Sequence, residues 1–369
     1  MIRLATVIGT FEAEFLARYR HRLTSDHTRA LAAIKQCRTD VSPKMQVKCT
    51  GCEHQKLMPH SCGHRHCPHC QHHESQQWLE RQLKKQVPAE YFMLTFTLPA
   101  EFRPLAWAHQ SALYELLMRA CWETVHTFTQ NDKQLRGTPG AIAVLHTNTR
   151  RLDYHPHVHL VMPAAAVDGA RKQWRTKVRG NAKGGYLFNH NALAKVFRAK
   201  MLAAIEDAGL TLPARYPKAW VVDCKAVGTG EKALVYLGRY LYRGVIREKD
   251  IVAYTDTTVT FAYENAKTNR TERRTVSGAD FLWLVLQHVL PKGFRRARNY
   301  GFLHPNCKRL IALLHLLLRV VPRVAGAWFK VRPPILCPCC GAPMAIVQTK
   351  RRSGFPTIIP VPIPTGQVR

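Results

Sequence analysis

Acidic residues are scarce in this sequence. Only 24 Asp and Glu accompany 55 Lys and Arg among the 369 residues, which gives a formal net charge of +31 at pH 7 and a pI near 10.1. No acidic residue follows Asp280, whereas 14 Lys and Arg do. A positive excess of this size predicts a polyanionic partner, and nucleic acid is the most common one. We therefore expect the carboxyl-terminal part of the chain to lie against phosphates.

Further absences exclude broad classes of protein. The amino terminus has no basic segment followed by an apolar run, so we expect no signal peptide. The longest apolar stretch, residues 310–318, contains a histidine and is too short to cross a bilayer. The metalloprotease motif His-Glu-x-x-His does not occur. We expect a folded chain, because 46% of the residues are hydrophobic, as in ordinary folded proteins. We expect no membrane spans, because the longest apolar stretch is so short.

The 12 cysteines are unevenly distributed, and six of them lie between Cys37 and Cys70. In a cytosolic chain such crowding indicates metal binding rather than disulfide bonds. Cys49-Thr-Gly-Cys52 and Cys67-Pro-His-Cys70 are two Cys-x-x-Cys knuckles separated by 14 residues. Four thiolates complete the tetrahedral shell that zinc prefers, and they leave no position for catalysis. We therefore predict a structural zinc ion on these four cysteines.

Other cysteines and histidines exceed what one zinc ion needs. Cys37, Cys62 and His66 are candidate ligands of a second zinc ion close to the first. Cys337-Pro-Cys-Cys340 resembles half of a further knuckle. Its partner is open, and the segment 304–307 (His-Pro-Asn-Cys) has a suitable spacing for a mixed site.

A strand-like run contains two histidines, His157 and His159, that are separated by a single residue. Residues 155–162 have the sequence His-Pro-His-Val-His-Leu-Val-Met, whose apolar residues predict a β-strand. Side chains alternate between the faces of a strand, so His157 and His159 share one face, whereas Val158 points into the core. Two imidazoles about 7 Å apart along a strand can together bind one divalent metal ion.

Two tyrosines stand four residues apart in Tyr236-Leu-Gly-Arg-Tyr240, within a predicted helix over 231–242. Their hydroxyls therefore lie on one face of the helix. Tyrosine is a weak nucleophile at neutral pH because its pKa is near 10. Attack on a metal-polarised phosphodiester would give a 5′-phosphotyrosine and a free 3′-hydroxyl. The alternative is that both tyrosines simply pack against the sheet.

Two histidines leave a metal site incomplete. A hairpin turn at residues 153–154 would place Asn148 opposite His159, where it would be a third ligand. The same register places Arg150 opposite His157, where it would contact a phosphate. A register change of one residue reverses these faces. The other candidate ligands are His146, Asp153 and Glu231.

Arg239 and Arg243 lie on the predicted tyrosine helix. Either they bind the scissile or flanking phosphates of DNA, or they are ordinary solvated helix residues. The two interpretations have equal weight on the sequence alone.

Six stretches of the chain resemble the rolling-circle transposases of IS91-like insertion sequences, which belong to the two-tyrosine HUH (His-hydrophobe-His) endonucleases. The stretches are residues 62–70, 91–99, 144–147, 155–160, 236–240 and 337–341. The resemblance implies an amino-terminal zinc-binding domain followed by a nuclease core. It also implies Mg²⁺ or Mn²⁺ on His157 and His159, with Tyr236 and Tyr240 as alternating nucleophiles. The chain departs from the family at Arg150, where Gln is common, and this leaves the third ligand open.

The pattern of elements favours an α+β fold with a mainly antiparallel sheet and helices packed on one side of it. The predicted helices cover 10–36, 78–86, 105–130, 190–208 and 231–242, and the main strands cover 91–98, 141–152, 155–167 and 219–227. Two shorter strands around 251–263 are expected to extend the sheet. The predicted domains are a helical segment (1–36), a zinc-binding domain (37–88), the HUH nuclease (89–265), a basic helical region with the last cysteine motif (266–352) and a disordered Pro-rich tail (353–369).

The sequence therefore predicts a transposase that cleaves and rejoins single-stranded DNA at element ends and target, in the bacterial cytoplasm and associated with the nucleoid. A replication initiator or relaxase would use the same chemistry on other DNA. A non-catalytic zinc-finger DNA-binding protein would explain the charge and the knuckles. It would leave the paired histidines and tyrosines without a role.

Overall fold

The computed structural model describes residues 1–177, 186–242, 244–265, 268–321 and 334–350. The predicted Pro-rich tail and Arg243 lie outside these residues. The α+β class is confirmed, since helices pack on sheets whose strand pairs are antiparallel. None of the helices within the described ranges has both the length and the apolar character needed to span a lipid bilayer.

The helices are α1 (Leu4–Tyr19), α2 (Ser25–Gln36), α3 (His72–Leu83), α4 (Arg103–Ala108), α5 (Gln110–Asn131), α6 (His190–Asp207), α7 (Glu231–Tyr242), α8 (Gly278–Leu286) and α9 (Lys308–Leu317). The strands are β1 (Lys44–Cys49), β2 (Gln55–Pro59), β3 (Tyr91–Thr97), β4 (Thr138–Asn148), β5 (Tyr154–Pro163), β6 (Ala165–Asp168), β7 (Gln173–Thr176), β8 (Val221–Ala226), β9 (Ile251–Tyr254), β10 (Thr258–Glu264), β11 (Thr271–Ser277), β12 (Ala297–Gly301), β13 (Ile335–Leu336) and β14 (Pro343–Lys350).

A central sheet positions the candidate site. Its strand order is β7-β6-β4-β5-β3-β8, and β12 pairs with β4. Val158 and Leu160 of β5 are fully buried in a core shared with α5 and α6. His157 and His159 therefore point to the opposite face, because successive strand residues alternate.

Helices cover both faces of the central sheet, so the prediction of helices on one side was wrong. On the second face, Val144 of β4 packs in one core with Trp78 of α3 and Leu234 of α7. Nine consecutive residues of β4, 139–147, are buried. A strand buried on both faces has a near-continuous apolar run, so residues 141–145 carried a signal of the second layer that the prediction did not use.

The amino-terminal helix predicted over 10–36 is broken into α1 and α2. Thr24 ends the break and caps α2, since its side chain and that of His27 bond reciprocally to each other's backbone N–H groups. The buried face of α1 carries Phe11 and packs against the start of α8. A Cβ at Gly278 would overlap the Phe11 ring, so only glycine allows this close contact.

The strands over 251–264 were predicted to extend the central sheet. They form a separate sheet instead. Its order is β11-β10-β9, and β10 pairs with β11 along its whole length. Phe261 of β10 is buried and lies 5.7 Å from the ring of Phe281 in α8. These strands therefore pack with the helices α1 and α8.

A third sheet joins two distant parts of the chain in the order β13-β14-β1-β2. Strand β14 pairs with β1 over six residue pairs, from Lys44↔Lys350 to Cys49↔Met344. Within its described residues, the segment predicted as a carboxyl-terminal region (266–352) thus supplies strands to each of these three sheets, besides the helices α8 and α9.

Candidate active site and cysteine clusters

Three histidines converge on one face of the β4–β5 hairpin. His146 and His157 are direct partners in the antiparallel register, and His159 lies one position further on the same face. The candidate ligand nitrogens of these three residues all lie within 4.8 Å of one another. Such a group can hold one metal ion.

The hydrogen bonds around the triad orient each ring. His157 donates from Nδ1 to the carbonyl oxygen of His155 at 2.7 Å, and His159 Nδ1 lies 3.0 Å from the hydroxyl oxygen of Thr95. Both contacts leave Nε2 as the nitrogen available to a ligand. Nε2 of His146 is buried and has no hydrogen-bond partner among the described residues. This donor set fits a metal ion.

The histidines are held in the neutral form that binds metals. Burial lowers the pKa of His157 to about 3, with a further contribution from the charge of His159. Burial likewise lowers the pKa of His159 to about 4. The pKa of His146 is well below its ordinary value, again chiefly through burial. At neutral pH the three rings are therefore uncharged, and each keeps a lone pair for coordination.

The predicted hairpin register was wrong. Asn148 lies opposite Tyr154 rather than His159, and the register shifts between His146 and Asn148. The connection runs through residues 149–153, longer than predicted, with Leu152 in the left-handed region at φ 68°. Asn148 therefore does not lie opposite His159, and the residue that groups with His157 and His159 is His146.

The other two candidate ligands, Asp153 and Glu231, do not belong to the histidine group. Asp153 forms an ion pair with Arg274 at 2.8 Å. Glu231 is the first residue of α7, more than one turn before Tyr236.

Helix α7 brings both tyrosines against the histidine triad. The ring of Tyr236 lies 5.9 Å from that of His159, and 47% of its surface is exposed. The ring of Tyr240 stacks on that of His146, with 3.3 Å between the ring centres and 5° between the ring planes. Its hydroxyl donates to Oδ1 of Asn148. Burial raises the pKa of both tyrosines above the ordinary value.

The glycine between the tyrosines lets α7 approach α3. A Cβ at Gly238 would lie 3.2 Å from the Trp78 ring, tighter than most side-chain contacts. The hydroxyl of Ser75 in α3 donates to the Gly238 carbonyl oxygen at 3.0 Å. Glycine at the middle of the Tyr-Leu-Gly-Arg-Tyr motif thus allows the tyrosine helix to pack closely against α3.

Arg296 lies in the site, although no sequence pattern assigned it there. Its guanidinium carbon lies 4.6 Å from the ring centre of Tyr240, and its Nε donates to the carbonyl oxygen of Leu145 at 3.0 Å. Burial lowers its pKa, whereas the interaction with Tyr240 raises it. The basic run 295–298 gave a signal, but it indicated only a general attraction for phosphates.

A cavity of about 520 Å³ opens beside the tyrosine helix. Both tyrosines line it, together with Arg150, Arg239 and Arg296. Arg150 is exposed and lies 3.5 Å from the Glu264 carboxylate. The residues that line this cavity carry more positive than negative charge, and those with ionisable acidic side chains are Asp250 and Glu264.

The cysteines form two separate quartets, so the prediction of one site on both knuckles was wrong. The first quartet is Cys37, Cys62, Cys67 and Cys70, and the second is Cys49, Cys52, Cys337 and Cys340. Within the first, the sulfurs of Cys37 and Cys62 each lie 3.5 Å from that of Cys70. Within the second, the Cys52 and Cys337 sulfurs are 3.7 Å apart although 285 positions separate the residues.

The pairing of β1 with β14 explains the second quartet. Cys49 ends β1 opposite Met344, next to the turn that carries Cys340. The segment 304–307 is therefore not the partner of the last knuckle. Cys307 instead lies near the Gly301 carbonyl oxygen. His66, a candidate zinc ligand on the sequence, is in neither quartet and accepts a hydrogen bond from the Leu290 N–H at 3.2 Å.

Comparison with known proteins gives two family matches. Residues 140–310 match the family described as "Putative transposase", and residues 7–98 match the "Transposase zinc-binding domain" of IS91. The putative transposase y4qJ of Sinorhizobium fredii is 32% identical over 326 residues, which cover 80% of this chain and 80% of that protein. The transposase for insertion sequence element IS801 of Pseudomonas savastanoi pv. phaseolicola is 28% identical over 333 residues, covering 82% of this chain and 78% of the relative.

Proposed function

The chain belongs to the IS91-like family of transposases, and from this premise we propose that it cleaves and rejoins single-stranded DNA through 5′-phosphotyrosine intermediates. The observation that supports the proposal most directly is the contact of both rings of one helix with the histidine triad. Tyr236 lies against His159, and Tyr240 stacks on His146.

The proposed cleavage is a transesterification. The phenol oxygen of a tyrosine attacks the phosphorus of a phosphodiester, and the bond between phosphorus and the 3′ oxygen breaks. The phenol loses its proton to water, and the leaving 3′ oxygen gains one. The 5′ phosphate stays on the tyrosine, so the bond energy is retained and a 3′-hydroxyl can later reverse the step. Two tyrosines permit two strands to be held before they are exchanged.

We propose that His146, His157 and His159 hold the catalytic metal ion. A bound Mn²⁺ or Mg²⁺ would polarise a phosphate oxygen and offset the charge that develops on it. The protein contributes ring orientation, since the His155 carbonyl fixes the tautomer of His157 and the Thr95 hydroxyl holds the ring of His159. His146 replaces Asn148 as the third ligand in this proposal.

Arginines around the cavity are proposed to bind the DNA backbone. Arg150 and Arg239 line the same cavity as the tyrosines, and guanidinium groups match phosphate geometry. Arg243 was predicted for the same role and lies outside the described residues. Single-stranded DNA is the proposed substrate.

The cysteine quartets and the zinc-binding domain match support structural zinc. We propose one ion in each quartet, because four thiolates close the coordination shell of zinc. Both ions would then stabilise the fold and take no part in the chemistry.

The proposal is tested by trapping the covalent intermediate. The full chain is incubated with Mn²⁺ and a pool of single-stranded oligonucleotides with a randomised centre and a fluorophore at the 3′ end. We expect a fluorescent adduct that resists SDS, because the 3′ part of the cleaved strand stays attached through its 5′ phosphate. Sequencing the attached strands then gives the preferred cleavage site.

The decisive variant combines Tyr236→Phe with Tyr240→Phe, which removes both phenol oxygens and should abolish the adduct. Tyr242→Phe is the matched control, because Tyr242 lies on the same helix but packs with the core of α3 and α9. An adduct of undiminished yield in the double variant would show that the nucleophile lies elsewhere.

A further inference from the structure

The two tyrosines of α7 have different surroundings. Tyr236 is nearly half exposed and meets the His159 ring edge-on at 90°. Among the described residues its hydroxyl has no hydrogen-bond partner, and its ring lines the cavity. No side chain in the described part of the protein holds the phenol oxygen in one direction.

Tyr240 is held by three contacts. Its ring stacks on His146, its hydroxyl donates to Asn148, and the guanidinium of Arg296 lies over its ring. The acceptor is itself fixed, since Nδ2 of Asn148 donates to the Thr149 carbonyl oxygen at 3.1 Å. Arg296 is fixed as well by its bond to the Leu145 carbonyl, next to His146 in β4.

These contacts bear on the order of attack. A phenol oxygen must approach phosphorus on the side opposite the leaving 3′ oxygen, so it has to reach into the cavity where the strand lies. Tyr236 can do this without breaking a hydrogen bond. Tyr240 must first release Asn148 and leave the stack on His146.

We propose that Tyr236 performs the first cleavage, and that Asn148 and Arg296 are positioning residues that hold Tyr240 in reserve for the second. The inference rests on the proposed function and adds a division of labour to it. In the first step a bond forms between Tyr236 and phosphorus while the bond from phosphorus to the 3′ oxygen breaks; the phenol proton goes to water, and water protonates the 3′ oxygen. Tyr240 repeats the same balance on the second strand.

The sequence itself makes this order measurable. Trypsin cuts after Lys232 and Arg239, so Tyr236 falls in peptide 233–239 and Tyr240 in peptide 240–243. The adduct is formed with protein in excess over the oligonucleotide pool and stopped early, so that each molecule acts on one strand. The protein carries Tyr242→Phe, so that each of the two peptides contains a single tyrosine. The attached DNA is digested to a nucleotide remnant, and mass spectrometry shows which peptide carries it.

In the Tyr242→Phe background, with the site otherwise intact, we expect the remnant mainly on peptide 233–239. Asn148→Ala and Arg296→Gln should each raise the share on peptide 240–243 severalfold, because Tyr240 is then released. A merely structural role would lower the total yield without moving this partition. If Arg296→Gln does not fold, Asn148→Ala decides alone, since it removes the acceptor of the Tyr240 hydroxyl and, besides that, only the side-chain bond to the Thr149 carbonyl oxygen.

The outcomes separate the inference from the function beneath it. A remnant mainly on peptide 240–243 in that background would overturn the order. A partition that neither variant changes would overturn the role of Asn148 and Arg296. The absence of a remnant from both peptides would contradict the proposed function itself.

Discussion

The histidine triad combines burial with an unpaired nitrogen. Nε2 of His146 is buried without a hydrogen bond among the described residues, and an unpaired buried polar atom costs about 1–3 kcal/mol. A metal ion at this nitrogen would remove that cost. The three neutral rings bring no negative charge, and the nearby Arg296 adds a positive one. Because imidazole suits transition metals better than Mg²⁺, we expect Mn²⁺ to bind more tightly.

His146→Ala tests the triad at the level of one residue. Loss of an outer-sphere partner typically lowers metal affinity by about 10- to 100-fold, so loss of a ligand should cost at least about 100-fold. The measurement is the Mn²⁺ concentration that gives half of the maximal adduct, together with calorimetric titration of Mn²⁺. His126→Ala on α5 is the control. Equal Mn²⁺ dependence in both variants would remove His146 from the site.

Helix packing determines where the tyrosines stand. Helix α7 sits between the sheet and α3, with Leu234 and Leu237 buried beside Trp78. A Cβ at Gly238 would lie 3.2 Å from the Trp78 ring, so a larger side chain would require one of the two helices to shift. This close contact, together with the buried leucines, sets the position of α7 and therefore of both phenol oxygens.

Gly238→Val should push α7 away from α3. Overpacking of this kind costs typically about 1–3 kcal/mol, and we expect the free energy of unfolding in urea to fall by that amount. Adduct yields at Tyr236 and Tyr240 should fall together, since both move with the helix. Lys232→Val, on the exposed side of α7, is the matched control. If the two variants unfolded at the same urea concentration, the contact of Gly238 with Trp78 would not limit the packing of α7 on α3.

The elements that carry the site were predictable where the pattern is local. The predicted bounds of the tyrosine helix, 231–242, are those of α7. Strand alternation also predicted correctly that Val158 points away from the face that carries His157. The hairpin register was not predictable, because it depends on a connection that contains Leu152 at positive φ, where no glycine marks the turn. Arg296 was missed because β12 reaches β4 only through a pairing of distant strands.

At the scale of the whole molecule, the carboxyl-terminal segment returns to the amino-terminal third. Strands β13 and β14 complete the sheet that begins with β1, and the second quartet lies where they meet. No local pattern connects Cys49 with Cys340, which are 291 positions apart. The knuckle spacing identified the chemistry of the cysteines, whereas strand pairing alone decides which knuckles combine.

Zinc content distinguishes this arrangement from a single site on Cys49, Cys52, Cys67 and Cys70. We expect the full chain to hold two zinc ions, one for each quartet, when measured by native mass spectrometry. Cys337→Ser with Cys340→Ser should leave one ion and release β14 from β1, which limited proteolysis detects. The release follows because structural zinc supplies folding free energy, about 10–16 kcal/mol in zinc-finger peptides.

Cys339→Ser is the matched control for this pair, because Cys339 is exposed between the two ligands and belongs to neither quartet. It should keep both ions and the protease resistance of the intact chain. If the double variant also kept its full zinc content, the carboxyl-terminal cysteines would not be ligands, and the strand pairing alone would have to hold the ends of the chain together. Loss of one ion from the double variant only would mean that zinc holds the carboxyl-terminal strands on β1 and completes the third sheet.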